Sequence, residues 1–437
     1  MRNYFIFTYG CSANVRDSET LAGMFDANGW QKAASSENAD IIVFNTCTIR
    51  NSADEKVFGR VGSLSGLSAQ VPRVIIAGCM AEAYKEKFLA DYPYVDLVIG
   101  TDSLAALDTY LKQQNADNGD DSRKAYTHQD GNWSIDEELP VSRSSNFHAN
   151  VTIMHGCDNF CSYCIVPFVR GRERSRLQEA ILREVNDLYN KGYKEITLIG
   201  QNVNSYGKGL AEKSDFPKLL LKIADTGIPR VRFLTSHPKD FSDELIDAIL
   251  HSNNICRQIH LPVQSGSNHI LDAMNRVYDR NNYIALVKKI KTAIPDITLS
   301  TDIIVGFPGE TESDFLDTMD LVRQCEFDFA YTFMYSPRKD TVAAAMPEQV
   351  PLDIMKERLS RLMVLLAEYG LKSNQNMLGK IYPVLVEGKS RRNAERLTGR
   401  TEGNKIINFS SDEDLTGKIV NVIVTEAGNW SLHGDMV

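Results

Sequence analysis

Residues 155–164 read HGCDNFCSYC and close an apolar, β-compatible run at 151–155. Cys157, Cys161 and Cys164 crowd one short loop. A disulfide between two of them strands the third, and a closed zinc site wants four ligands, with His155 the nearby candidate. Thiolates also hold iron–sulfur cubanes, and three protein thiolates leave one of the four irons open to a small molecule. The iron–sulfur reading fits three cysteines better, and zinc stays as the alternative.

The surroundings of this loop decide the fold. Apolar runs at 151–155, 195–200, 230–235, 258–263, 297–305 and 328–335 alternate with amphipathic stretches such as 178–190 and 312–324. Strands alternating with helices predict parallel pairing, here a partial or complete β/α barrel over 148–372. Such barrels place their site at the C-terminal strand ends. Polar groups stand there: Gln201 and Asn202, Ser236 and His237, Gln264 and Ser265, then Gly306.

Upstream, β-rich runs at 4–9, 41–46, 74–78 and 95–99 are each followed by helix-compatible sequence. They predict an α/β unit over 1–113 with a doubly wound parallel sheet. Residues 114–147, rich in Asn, Asp and Ser, read as a linker. Downstream, a long helical pattern at 351–377 leads to alternating runs at 380–387, 396–409 and 418–425. These predict a small all-β barrel over 373–437.

Cys11, Cys47 and Cys79 each follow a strand of the first unit, in TYGC, FNTC and IAGC. Parallel strands end on one edge, so the three thiols converge there unless they are unrelated buried thiols. Gly10 and Gly78 give the backbone the freedom to turn beside them. A second three-thiolate site results. Cys256 and Cys325 read as isolated core thiols.

The chain of 437 residues is 43% hydrophobic and 24% charged, as ordinary globular proteins are. It has no apolar run of membrane-spanning length, and its first residues do not read as a signal peptide. A cytoplasmic monomer with reduced thiols is expected. A net charge of −9 argues against a general polyanion binder. Local basic stretches remain as RNA surfaces: Arg170, Arg172, Arg174 and Arg176 beside the cysteine loop, and Arg391, Arg392, Arg396, Arg400 and Lys405 on the terminal barrel.

CxxxCxxC after the first strand of a β/α barrel resembles the radical S-adenosylmethionine (SAM) superfamily. Two three-cysteine sites and a terminal β-barrel narrow this to its methylthiotransferase family. The stretches carrying the likeness are YGCSANVRDSE (9–19), ADIIVFNTCTIRNSADEKVFGR (39–60), CSYCIVPFVRGRERSR (161–176), LIGQNVNSYG (198–207), TSHPKD (235–240), HLPVQSGSN (260–268) and STDIIVGFPGET (300–311). Where that family has Gln-Met after its first cysteine, this chain has Ser12-Ala13.

The resemblance implies two 4Fe-4S clusters, one on Cys157, Cys161 and Cys164 and an auxiliary one on Cys11, Cys47 and Cys79. SAM would be both radical source and methyl donor. Tyr163, Gln201, Asn202, Ser236, Gln264, Arg276 and Val305 would contact it. The terminal barrel would be an RNA-binding TRAM domain. The implied reaction is methylthiolation at C2 of a tRNA adenosine beside the anticodon that carries an N(6)-dimethylallyl group. An external electron donor and sulfur source would serve it. Siblings acting on threonylcarbamoyladenosine or on a ribosomal-protein aspartate are the near alternatives. A non-catalytic iron–sulfur protein that binds RNA or carries electrons is the distant one.

Overall fold

The structure, a computed structural model, describes residues 2–48, 51–63, 72–115, 123–127, 135–211 and 214–437, without the side chains of 51–56. Parts of the 39–60 stretch and of the expected linker (49–50, 116–122 and 128–134) lie outside the described residues.

The first unit runs β1 (Asn3–Thr8), α1 (Ser12–Ala27), β2 (Gln31–Lys32), β3 (Ile41–Thr46), α2 (Asn51–Ser63), β4 (Arg73–Gly78), α3 (Cys79–Tyr84), α4 (Lys87–Asp91), β5 (Val95–Ile99), α5 (Ala106–Asn115) and β6 (Lys124–Tyr126). All pairings are parallel, in the order β2-β1-β3-β4-β5-β6. β3 is buried along its whole length, because helices cover both faces of a parallel sheet. β6 comes from the stretch read as linker: its short KAY run carries too little apolar pattern to announce a strand, and the edge of β5 recruits it.

The second unit continues with β7 (His148–Thr152), β8 (Met154–His155), α6 (Val166–Val169), β9 (Arg174–Ser175), α7 (Gln178–Asn190), β10 (Glu195–Ile199), α8 (Phe216–Ala224), β11 (Arg230–Phe233), α9 (Asp243–His251), β12 (Gln258–His260), α10 (Asn268–Ala273), α11 (Arg280–Ala293), β13 (Thr298–Val305), α12 (Glu312–Cys325), β14 (Phe329–Met334) and α13 (Leu352–Gln375). Two parallel sheets, β11-β10-β7 and β12-β13-β14, meet through a parallel bridge between Val231 and Ile255. The result is a partial barrel of six strands. Ile196, Leu198, Val231, Ile303 and Val305 point to the helical layer and form its core with Ile181, Val185, Leu219 and Phe315.

β15 (Ile381–Lys389), β16 (Arg396–Arg400), β17 (Ile406–Ser410), β18 (Ile419–Ala427) and β19 (Leu432–Met436) close into the small barrel. The apolar run at 396–409 resolves into two antiparallel strands around a turn. That turn docks on the starts of the parallel strands. Arg230 donates to the carbonyls of Arg400 (3.0 Å) and Pro383 (2.7 Å), and Arg232 to those of Glu402 (2.7 Å) and Thr401 (3.3 Å). Arg232 also pairs with buried Glu195 at 3.0 Å. Burial works to raise the Glu195 pKa, but Arg232 outweighs it and the carboxyl sits below its ordinary range.

Removing one partner of such a buried pair leaves an uncompensated charge, a loss of about 3–5 kcal/mol. Arg232→Met is therefore expected to lower the melting temperature and expose the segment between α13 and β15 to protease. Wild-type melting with wild-type cleavage would count against this joint.

Candidate functional site

β1, β3 and β4 are neighbours, and their C-terminal ends lie side by side: Thr8 pairs with Asn45, and Thr46 with Gly78. The next crossovers from β1 and β3 run to opposite sides, which makes their ends the topological switch point of the sheet. Cys11, Cys47 and Cys79 follow these three strands. Gly10 and Gly78 have φ of +115° and +90°, in the region that favours glycine. A Cβ on Gly10 would collide with Cys47, and one on Gly78 with the Thr46 carbonyl.

Two buried asparagines fix these loops. Asn14 donates to Asn45 Oδ1 (3.2 Å) and to the Thr46 carbonyl (2.9 Å); Asn45 returns a bond to the Asn14 carbonyl (2.8 Å). The hydrogen bond to Cys47, helped by the charge of Arg170, draws the Cys11 pKa down to about 5 against its burial. Burial pushes the Cys79 thiol up. Asn45 appears in the sequence only as a polar residue in an otherwise apolar strand, a signal that a partner had to exist.

The second cysteine loop follows β8. Its backbone is held from across the barrel: Ser162 donates Oγ to the Ala273 carbonyl (2.7 Å), and the Asn275 amide caps the carbonyls of Asn159 and Phe160. Arg276, 8% exposed, donates to Cys161 Sγ (3.3 Å), the Pro262 carbonyl (2.9 Å) and the Tyr278 hydroxyl (2.9 Å). Burial raises the Cys157 thiol and carries Cys164 to about 12. Buried thiols of this kind ionise when a metal takes the charge. Burial, with Arg170 and Arg174 beside it, drives the His155 pKa down to about 3, so the imidazole is neutral. Among the described residues, no three His, Cys, Asp or Glu side chains converge on one point as ligands of a single ion. A cubane asks a different geometry, because each thiolate binds its own iron.

The two loops are adjacent. α6 directly follows Cys164, and Ile165 and Val169 pack on Cys79. Thr101, beyond β5, donates to the Val169 carbonyl (2.5 Å).

Beside the second loop, the strand ends carry unsatisfied polar atoms. Gln201 Oε1, Asn204 Oδ1, Ser236 Oγ and the Tyr335 hydroxyl are buried without a hydrogen-bond partner. Buried polar atoms left open in this way suit a polar ligand. Thr235 and Gln264 hold φ of +68° and +71° at neighbouring strand ends, unusual for residues with a Cβ and typical of functional loops. Donor set and cradle both fit a cubane with a small polar ligand at its open iron.

Several expected contacts need correction. The Asn202 amide donates to Asp240 (2.7 Å) and accepts from the His237 backbone (3.2 Å), so its first task is to brace the loop. Val305 has no exposed surface and faces the helical layer; strand alternation turns its neighbour Ile304 to the cluster of Phe307 and Tyr335, on which Tyr163 also packs.

The arginine run is largely internal. Buried Arg170 is paired with buried Asp17 (2.7 Å), and buried Arg176 with the half-buried Glu137 (2.6 Å) and Glu184 (2.7 Å). Arg174 turns back to the Arg172 carbonyl and Asp102. Only Arg172 is well exposed, over the ring of Phe160. Lys405 is buried against Ser373 and Asp328 in the docking turn. Arg396 bonds His433, and Arg400 bonds Glu387 and Asn404, while Arg391 and Arg392 are exposed.

Comparison with known proteins gives three family matches: the Radical SAM superfamily over residues 151–322, Uncharacterized protein family UPF0004 over 3–100, and the TRAM domain over 375–437. The chain is 49% identical over 437 residues to the tRNA-2-methylthio-N(6)-dimethylallyladenosine synthase of Clostridium perfringens (strain SM101 / Type A), covering 99% of this chain and 97% of that one. The synthase of the same name from Thermoanaerobacter pseudethanolicus is 50% identical over 443 residues, covering 99% and 92%. Among solved structures, the radical S-adenosylmethionine methyltransferase TsrM of Kitasatospora setae, with cobalamin and a [4Fe-4S] cluster bound, has the same fold over 78% of this chain and 77% of that one, with TM-score 0.57 at 14% identity. Sharing about half its residues along its whole length with these synthases, the chain belongs to the tRNA-2-methylthio-N(6)-dimethylallyladenosine synthase family of radical SAM methylthiotransferases.

Proposed function

We propose that this protein methylthiolates C2 of a tRNA adenosine that already carries an N(6)-dimethylallyl group, at position 37 beside the anticodon. The observation that carries the reading is the abutment of two three-cysteine loops through α6. The name printed for relatives at 49–50% identity supports the dimethylallyl substrate over that of the siblings. The target C–H is unactivated, which acid–base catalysis cannot address.

Two [4Fe-4S] clusters and SAM, when bound, supply the electron, the radical, the sulfur and the methyl group. The chain holds and shields them. Cys157, Cys161 and Cys164 leave one iron for the amino and carboxylate groups of SAM, and Cys11, Cys47 and Cys79 hold the auxiliary cluster. Gln201 and Ser236 offer their open oxygens to SAM, with Gln264 beside them. Arg276 keeps N–H groups beyond those it spends on Cys161, Pro262 and Tyr278, and these would be free to hold the carboxylate. Tyr163 and Ile304, both partly buried, would form the apolar wall. The first unit, from β1 through β6, serves as the sulfur-handling domain, 148–372 as the SAM domain and 373–437 as the RNA-binding barrel. Arg172, Arg391 and Arg392 contact tRNA phosphate. The protein works as a cytoplasmic monomer, with electrons and sulfur supplied from outside.

The test is anaerobic reconstitution, iron counting, and incubation with SAM, reductant and tRNA with or without the dimethylallyl group. About eight irons per chain are expected. Methylthiolation indifferent to the dimethylallyl group overturns the substrate. Cluster reduction without SAM cleavage would mark a non-catalytic protein. Cys161→Ala is expected to abolish 5′-deoxyadenosine formation, whereas Cys47→Ala spares it and stops sulfur insertion.

Ser236→Ala removes a buried hydroxyl that is unpaired in the free protein. Its melting temperature should hold or rise, while SAM binding by calorimetry weakens roughly tenfold, the loss of one hydrogen bond of about 1.5 kcal/mol. An unchanged Kd takes Ser236 out of the SAM site. Replacing both Arg391 and Arg392 by Ala should weaken tRNA binding and reduce the slope of log K against log salt by about 1–2. An unchanged slope would move the RNA surface elsewhere.

A further inference from the structure

We propose that Arg170, which the SAM domain contributes, is the hydrogen-bond donor and counter-charge of the auxiliary cluster on the neighbouring domain, and so sets that cluster's reduction potential together with Asp17. The inference rests on the reading that Cys11, Cys47 and Cys79 hold a cubane.

Arg170 ends the short segment that begins at Cys164 and passes through α6. It is only 4% exposed. Its Nη2 donates to Asp17 Oδ2 at 2.7 Å, from α1, the helix that Cys11 caps. Val169, the residue before it, packs on Cys79, which brings Arg170 to the cysteine edge of the first sheet. The Nε of Arg170 is buried without a partner. A guanidinium carries five N–H donors in a rigid fork, more than one carboxylate accepts. One such donor, Nε, is left over beside the cysteines that would hold a group rich in sulfur acceptors.

Charge gives this contact a consequence. A cubane on three thiolates is anionic and becomes more so when reduced. A nearby fixed cation favours the reduced form, and a nearby fixed anion disfavours it. The neighbouring cation changes this little: Arg174, which reaches the Arg170 carbonyl, is engaged with Asp102. Asp17 and Arg170 therefore act in opposite directions on one potential. A mere interdomain staple would give the two residues the same effect, because removing either breaks the same bond. Arg170 is accordingly a positioning residue that acts through the cluster.

The experiment uses the full chain with Cys157, Cys161 and Cys164 replaced by Ala, so that one cluster reports. After anaerobic reconstitution, the midpoint potential is read by redox titration of the electron paramagnetic resonance signal. Arg170→Met is expected to disfavour reduction about tenfold, a shift of about 59 mV downward for one electron. Asp17→Asn is expected to shift it upward by a similar amount. Arg170→Lys keeps the charge and should stay near the parent. Shifts in the same direction, or none, overturn the inference alone. If Arg170→Met fails to hold iron, Asp17→Asn decides: no upward shift overturns the proposal. A parent that takes up no iron overturns the auxiliary-cluster reading and this inference with it.

Discussion

Parallel pairing is the constraint on which the rest depends. A parallel sheet built through helical crossovers sends every strand the same way, so all its loops of one kind share an edge. This chain does so twice. In the first sheet the shared edge gathers Cys11, Cys47 and Cys79 from three strands distant in sequence. In the second it gathers the cysteine loop and the open polar atoms of Gln201 and Ser236. Chemistry that needs two sites then requires only that the two edges meet. α6 makes them meet, with its apolar face against Cys79.

Charges reinforce that small apolar contact. Arg143 links Glu19 on α1 to Glu184 on α7, and Arg176 links Glu184 to Glu137. Arg16 reaches the same Glu184. Buried ion pairs contribute little net stability, since desolvation offsets most of the attraction, but they tolerate few alternative geometries. They suit a joint that must hold two redox sites in register. Burial opposes ionisation of Glu184, yet Arg176, Arg16 and Arg143 together hold its pKa below the ordinary range. The folded pKa is depressed, so this contribution is complete above the unfolded carboxylate value. It is lost as pH falls through the lower folded value. The joint is thus set for neutral pH and weakens in acid.

The parallel architecture, the six cysteines and the small barrel were legible because each rests on local pattern: apolar period, a turn residue, a thiol after a strand. The arginine run shows where local pattern stops. RGRERSR reads as a basic surface, yet its buried members find their acids at Asp17, Glu137 and Glu184, on other elements. No window of sequence displays such partners. Val305 and Ile304 differ by one position and face opposite sides of β13, so naming the apolar wall needed the register of the strand. Lys405 lies in the turn that docks on β11, a contact fixed only by tertiary packing.

The docking of the small barrel bears on how substrate is read. It sits against the starts of the parallel strands, while both cysteine loops lie at their ends. β11 spans four residues, roughly 13 Å, so the docked turn of the small barrel and the chemistry lie at opposite ends of the parallel strands. A modified nucleoside alone does not bridge such a gap, whereas a folded RNA with its base turned out of the stack does. Under the proposed function, the distance itself selects a structured tRNA. On that reading, phosphate contacts on the small barrel would carry affinity and leave the pocket at the strand ends to judge the base.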